Sequence, residues 1–105
     1  MIVQNKIYGL MGLCARAGKI VSGADACIEE IKLKKIFLLI LAKDASEKTK
    51  SNIKYECSKY NIEVQEYGDI INLSKSIGKE NRAIIGIKDK NFSNEIKKMI
   101  CGGEN

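Results

Sequence analysis

Three short segments of the sequence combine glycines, cations and backbone amides, which together can bind an anion such as phosphate. The first spans residues 17–25 and leads into a helix. With the arginine before it, its candidate binding residues are Arg16, Gly18, Lys19, Ser22, Gly23, Ala24 and Asp25. Residues 1–22 contain cations and no acid, so an anion would be attracted there. Neither G-x-G-x-x-G nor G-x-x-x-x-G-K-S/T occurs, so no dinucleotide or Walker-type site is supported, and an ordinary capped turn is the alternative.

The other two segments adjoin predicted strands. Lys43 follows the most apolar stretch of the sequence. A lone aspartate after a strand, such as Asp44, could be a phospho-acceptor, but such sites need a cluster of acids nearby and none is present. Asp44 is therefore expected to cap a helix. The third segment is the loop before the last strand, which consists of Lys79, Glu80, Asn81 and Arg82. This loop either binds phosphates or is a solvated connection. If the last strand runs antiparallel to the first, this loop lies beside Gly23. The three segments then form one basic surface.

The sequence lacks the side chains on which most catalysis near neutral pH depends. It has no histidine, which removes Ser-His and Cys-His pairs and histidine metal ligands. Its cysteines are Cys14, Cys27, Cys57 and Cys101, too widely spaced for a C-x-x-C site. The first three occupy apolar helical positions and are expected to be buried thiols. We therefore expect no enzyme activity, no cofactor and no metal.

Composition predicts one domain, over residues 1–105, that binds a polyanion. The chain is far below the roughly 250 residues at which domains split, and its formal net charge is +5 with a pI of about 9.0. Neither a signal peptide nor a membrane span is expected, because the longest apolar run, Ile36 to Ala42, is short. Free thiols fit a reducing cytoplasm. We expect a cytoplasmic monomer with no membrane or DNA partner, and we interpret most other lysines, including Lys34 and Lys35, as solvated surface.

Hydrophobic periodicity predicts five helices alternating with four strands. Strands are expected at 19–22, 36–42, 62–67 and 82–87. Helices are expected over 4–17, from 24 onward, from Asp44 or Ser46 to Asn61, from 69 to 78, and over 93–101. The run from 36 to 42 is apolar without alternation, as in a central strand, whereas 62–67 alternates like an edge strand. The predicted class is an α/β three-layer sandwich with a four-stranded mixed sheet, ending in a disordered tail at 102–105. Gly9 and Gly12 in the first helix suggest close packing.

Three blocks of residues resemble the ribosomal protein L7Ae family, most closely its bacterial YlxQ-type members. The blocks run from Gly9 to Gly23, from Leu39 to Ser46 with Thr49-Lys50 after it, and from Ile77 to Lys79. The resemblance covers at least residues 9–90. It implies a three-layer domain that binds kinked, internally looped RNA, especially kink-turns, and so a partner such as ribosomal RNA or the ribosome. It also implies RNA contact at the first strand's end, the second helix's start and the loop before the last strand.

The family's G-x-N-E-x-x-K signature is only partly kept. Aligned without a gap, it places the glycine on Gly23, the asparagine on Asp25, the glutamate on Ala26 and the lysine on Glu29. These replacements weigh against specific kink-turn recognition, because they remove groups able to read sheared G·A pairs and add repulsion near a phosphate. Arg16, Lys19 and the loop from Lys79 to Arg82 remain to carry RNA binding. The alternative is a protein-interaction adaptor that kept the fold.

Overall fold

Five helices and four strands alternate over the described part of the chain, as predicted. The computed structural model describes residues 3–102. In chain order its elements are α1 (Val3–Arg16), β1 (Ile20–Ser22), α2 (Ala24–Lys32), β2 (Leu38–Leu41), α3 (Glu47–Lys59), β3 (Val64–Glu66), α4 (Ile70–Ser76), β4 (Ile84–Ile87) and α5 (Lys90–Gly102). No helix in this part of the chain is long and apolar enough to cross a membrane.

The strands form one mixed sheet in the order β1-β4-β2-β3. β4 is antiparallel to both β1 and β2, and β2 is parallel to β3. Consequently β1, β2 and β3 all finish at the end of the sheet where β4 starts. We call this end of the sheet the upper end. The opposite end, where β4 finishes and the other three strands start, is the lower end.

Helices cover both faces of the sheet, which is why the two central strands are apolar without alternation. All four residues of β2 and all four of β4 are buried. One core layer lies under α1, α4 and α5 and includes Ile7, Met11 and Ile96. The other lies under α2 and α3 and includes Ile31 and Ile53. The three-layer α/β/α prediction is confirmed, with β2 central and β3 at an edge.

Gly86 allows the core layer under α2 and α3 to pack closely against β4. A Cβ at this position would lie 2.7 Å from Cδ1 of Ile36 and 3.0 Å from Cγ1 of Val21. Gly12 shows the predicted close approach as well, because its Cβ would lie 3.0 Å from the carbonyl oxygen of Ser76. The same prediction is wrong for Gly9, which has nothing within 4 Å of its added Cβ.

Two further expectations about helix ends need correction. Of the two residues expected to begin α3, Ser46 is confirmed as its N-cap and accepts a hydrogen bond from the Thr49 N–H at 3.1 Å, whereas Asp44 does not cap α3. Asp44 instead reaches α4, where its Oδ1 accepts from the Ile70 N–H at 2.9 Å, a tertiary contact that local spacing could not reveal. Gly102, expected in the tail, is the last residue of α5. The rest of that tail lies outside the described residues.

Candidate nucleic-acid interface

The upper end of the sheet brings together the β1–α2 turn, Lys43 and the loop before β4. The Gly23 N–H donates to the Ile84 carbonyl at 2.9 Å, so the end of β1 is fixed beside the start of β4. The Ala42 N–H donates to the Ala83 carbonyl at 2.9 Å, which holds the neighbouring Lys43 beside the same strand start. The antiparallel arrangement of β1 and β4, on which this meeting depended, is therefore confirmed.

The N-terminus of α2 faces this end with backbone donors. Gly23, its N-cap, has φ 93° and ψ 151°, a conformation that is essentially restricted to glycine. No side chain of the described residues caps this helix. The first N–H groups of a helix have no partner within it, so those at the start of α2 are available to an anion. Exposed Asp25 in the first turn places a negative charge beside them.

The loop from Gly78 to Arg82 is held in place by Ser74, a buried residue of α4. The Ser74 Oγ accepts a hydrogen bond from the Arg82 N–H at 2.7 Å and donates one to the Arg82 carbonyl at 3.2 Å. The Lys79 N–H donates to the Ser74 carbonyl at 2.9 Å. The loop turns back through Gly78 and Asn81, whose φ angles are 72° and 56°. Lys79 and Asn81 are exposed, while Arg82 is half-buried.

The cations of the upper end are available for a ligand. The side chains of Lys43, Lys79 and Arg82 are engaged in none of the ion pairs formed among residues 6–102. Those ion pairs use lysines elsewhere, such as Lys50 and Lys54, which both contact Glu66. Two acids of the upper end, Asp44 and Asp69, accept hydrogen bonds from backbone N–H groups near the start of α4.

Three predicted site residues do not lie beside Gly23. Arg16, Gly18 and Lys19 precede β1, and the Lys88 N–H donates to the Lys19 carbonyl at 2.8 Å, which puts Lys19 at the lower end. The first of the three segments expected to form one basic surface is therefore divided, with Lys19 at the lower end and Gly23 at the upper end. The three residues of β1 lie between Lys19 and Gly23, and a strand of this length spans about 10 Å.

Arg16 nevertheless approaches the loop by another route. It lines a shallow groove between α1 and α4 together with Lys75 and Gly78. Lys75 is exposed and also lines a second groove with Lys79 and Asn81. Neither Lys75 nor Ser74 is among the residues predicted from the sequence. Helical spacing places both residues on α4. They lie beside the candidate site only because the loop from Gly78 to Arg82 folds back along that helix.

The thiols support a non-catalytic reading of the cysteines. Cys14, Cys27 and Cys57 are buried, as predicted, and Cys101 is exposed. Burial raises the pKa of Cys14 and Cys57 to about 11, and that of Cys27 to about 12. Thiols with such values stay protonated near neutral pH and are poor nucleophiles. Among residues 6–102 no cluster of cysteines and acids could hold a metal ion.

Fold and site together define a small α/β/α domain in which three turns meet at one end of the sheet. The chain belongs to the Ribosomal protein L7Ae/L30e/S12e/Gadd45 family, whose model matches residues 5–97. It is similar to RNA-binding protein YlxQ of Bacillus subtilis (strain 168), with 33% identity over 89% of this chain and 93% of the relative. RNA-binding protein YlxQ of Enterococcus faecium is 34% identical over 94% and 95% of the two chains.

Solved structures share this fold. A protein of unknown function from Bacillus halodurans superimposes with a TM-score of 0.88 and 33% identity, covering 91% of this chain and 97% of that one. The Giardia lamblia 15.5kD RNA binding protein superimposes with a TM-score of 0.78 over 94% and 85% of the two chains. At 16% identity the latter shows the fold alone. The two YlxQ relatives are named RNA-binding proteins, in agreement with the expectation of a non-enzymatic protein.

Proposed function

We propose that the protein binds structured RNA through the upper end of its sheet, as a non-enzymatic, cytoplasmic RNA-binding protein. The observation that carries the proposal is the meeting of three segments there: the uncapped start of α2, Lys43, and the loop fixed by Ser74. Family membership and the names of the two YlxQ relatives support RNA as the polyanion.

Phosphates are the main target of this surface. Backbone N–H groups at a helix start and cationic side chains both bind phosphate oxygens, and such contacts position RNA without reading its sequence. The positions that would read bases carry Asp25, Ala26 and Glu29, of which Asp25 and Glu29 are exposed acids. We therefore propose that kinked or internally looped RNA, including ribosomal RNA, is recognised by its backbone shape, with weak base specificity.

A salt titration with matched variants tests the proposal. The probe is a fluorescent RNA hairpin with an internal loop, and its binding is followed by anisotropy. If about four phosphates are contacted, log affinity should fall against log salt with a slope of about −3 to −4. Lys79→Gln with Arg82→Gln should make the slope shallower by about 1.5, since each phosphate contact contributes about 0.7 to 0.9.

The control variant removes the same charge elsewhere. Lys6 and Lys98 are exposed on α1 and α5, and neither is engaged in an ion pair among residues 6–102. Lys6→Gln with Lys98→Gln should leave the slope within about 0.5 of the original protein. Equal losses in the two variants, or binding that does not change with salt, would refute the upper end as the site.

The second candidate is a protein-interaction adaptor of the same fold. The observation that favours it is the charge of the upper-end turns, at 23, 42–46, 67–69 and 77–83, which contain three cations and three acids and so have no net charge. Association with protein partners that survives nuclease treatment, together with no affinity for the hairpin, would establish the adaptor function instead.

A further inference from the structure

Positive charge is concentrated at the lower end of the sheet. The lower-end turns, at 17–19, 33–37, 60–63 and 88–89, hold four lysines and two acids, whereas the upper-end turns are neutral. Both lower-end acids are occupied, because Glu63 contacts the Lys97 Nζ at 2.7 Å and Asp89 accepts from the Phe92 N–H at 2.8 Å. The exposed lysines of these turns, Lys19, Lys34 and Lys35, are unpaired among residues 6–102.

Large apolar side chains are exposed among these lysines. Leu33 is 58% exposed and Phe37 is 49% exposed, and both belong to the turn between α2 and β2. Lys34 in the same turn has φ 60°, a left-handed conformation that is uncommon for a residue other than glycine. The turn therefore keeps two lysines and two apolar side chains exposed to solvent.

Backbone hydrogen bonds join this turn to Lys19 through the end of β4. The Phe37 N–H donates to the Ile87 carbonyl at 2.8 Å, and Ile87 pairs with Ile20 on its other side. Directly after Ile87, Lys88 donates its N–H to the Lys19 carbonyl at 2.8 Å. The exposed ring of Phe37 and the three unpaired lysines therefore share one end of the sheet.

The geometry points to a second RNA-binding surface at the lower end, formed by Phe37, Lys19, Lys34 and Lys35, which holds a single-stranded segment of the RNA bound at the upper end. An exposed aromatic ring offers a face on which one base can stack, and flanking cations bind the phosphates on either side. This inference rests on the proposed function, because the same RNA must reach both ends. It also gives Lys34 and Lys35 a role beyond the solvated surface expected from the sequence.

The size of the sheet allows one RNA to reach both ends. Arg82 precedes β4 and Lys88 follows it, so six residues separate the two ends along this strand, or about 20 Å. A strand that rises 3.4 Å per nucleotide covers this distance with about six nucleotides. An extension of about ten nucleotides on an RNA held at the upper end is therefore long enough to contact Phe37.

The test compares two RNA probes at fixed salt. One is the internal-loop hairpin, and the other is the same hairpin with a single-stranded extension of about ten nucleotides. The original protein should bind the extended probe at least about five-fold more tightly, the factor that corresponds to stacking one base. Phe37→Leu removes the ring but keeps an apolar side chain, and it should abolish this gain.

A charge variant provides an independent measurement. Lys34→Asn with Lys35→Gln removes two cations, and asparagine tolerates the left-handed backbone at 34. This variant should also lose the gain from the extension, whereas Lys6→Gln with Lys98→Gln should keep it. Lys79→Gln with Arg82→Gln should weaken binding of both probes and preserve their ratio.

Three outcomes would overturn the inference in different ways. If both probes bind the original protein equally while the upper-end variant still weakens them, the second surface is refuted and the proposed function stands. If neither probe binds, both proposals fail. If polyglutamate or anionic lipid vesicles displace the extension as well as unlabelled RNA does at equal charge, the lower end is a surface for acidic proteins or membranes and the RNA assignment is wrong.

Discussion

Ser74 offers the sharpest test of how the upper end is built. Its Oγ forms hydrogen bonds with both the N–H and the carbonyl of Arg82, and the residue is only 2% exposed. Ser74→Ala removes both bonds and leaves a partly buried N–H without a partner. An unsatisfied buried donor costs about 1 to 3 kcal/mol.

That cost is a substantial fraction of the stability of a domain this size, which is typically about 5 to 15 kcal/mol. For a domain of about 100 residues, a loss of 1 kcal/mol lowers Tm by about 4 °C or more. We therefore expect Ser74→Ala to lower Tm by at least about 4 °C in thermal unfolding followed by circular dichroism. Affinity for the RNA hairpin should fall as well, because the loop from Gly78 to Arg82 must then be ordered on binding.

Ser76→Ala is the matched control. The Ser76 Oγ donates to the Leu73 carbonyl at 2.7 Å within α4, but this side chain is half-buried and holds no part of the loop. Its loss should cost less than about 0.5 kcal/mol. Equal Tm shifts and equal affinities for Ser74→Ala and Ser76→Ala would show that the bonds to Arg82 do not fix the loop.

Three further predictions test other parts of the molecule. Gly23→Ala should lower the unfolding free energy by about 1 to 3 kcal/mol in urea, because φ 93° is strained for alanine while the added Cβ meets nothing; an unchanged midpoint would contradict the backbone geometry. Hydrogen bonds from two lysines hold the pKa of Glu66 below its ordinary value, so its stabilisation is present above pH 4.5 and is lost as pH falls below that. Stability of Glu66→Gln should then fall less steeply on acidification than that of the original protein. A thiol reagent at pH 8 should modify only Cys101 in the folded chain, and modification of a buried cysteine at the same rate would contradict the burial described above.

The elements were predictable from sequence because each carries its own pattern. The unbroken apolar run from Ile36 to Ala42 identified the central strand. Gly18 and Gly78, with φ angles of 74° and 72°, follow α1 and α4 in the left-handed conformation that glycine commonly adopts after a helix. Strand limits were predicted too long by one to three residues, and flanking residues such as Phe37 and Ala42 still donate backbone hydrogen bonds to residues of β4 or next to it. In each of these cases local chemistry decides the outcome.

The site was less predictable because it depends on contacts between distant segments. Lys19 and Gly23 are only four positions apart in the sequence, but they lie at opposite ends of the sheet because β1 runs between them. Asp44 caps a helix 26 residues further along the chain instead of the adjacent one. No pattern in the sequence around Ser74 predicts its hydrogen bonds to Arg82. Periodicity carries no information about such pairings, which arise only when the sheet has formed.

Mapping the RNA contact by amide chemical shifts tests the central claim most directly. The internal-loop hairpin is added to isotopically labelled protein, and the shifted backbone amides are assigned. We expect the largest changes at residues 22–25, at Lys43 and at 78–82, which the structure brings together at the upper end. Changes confined to the outer faces of α3 and α5, with these amides unmoved, would contradict the account.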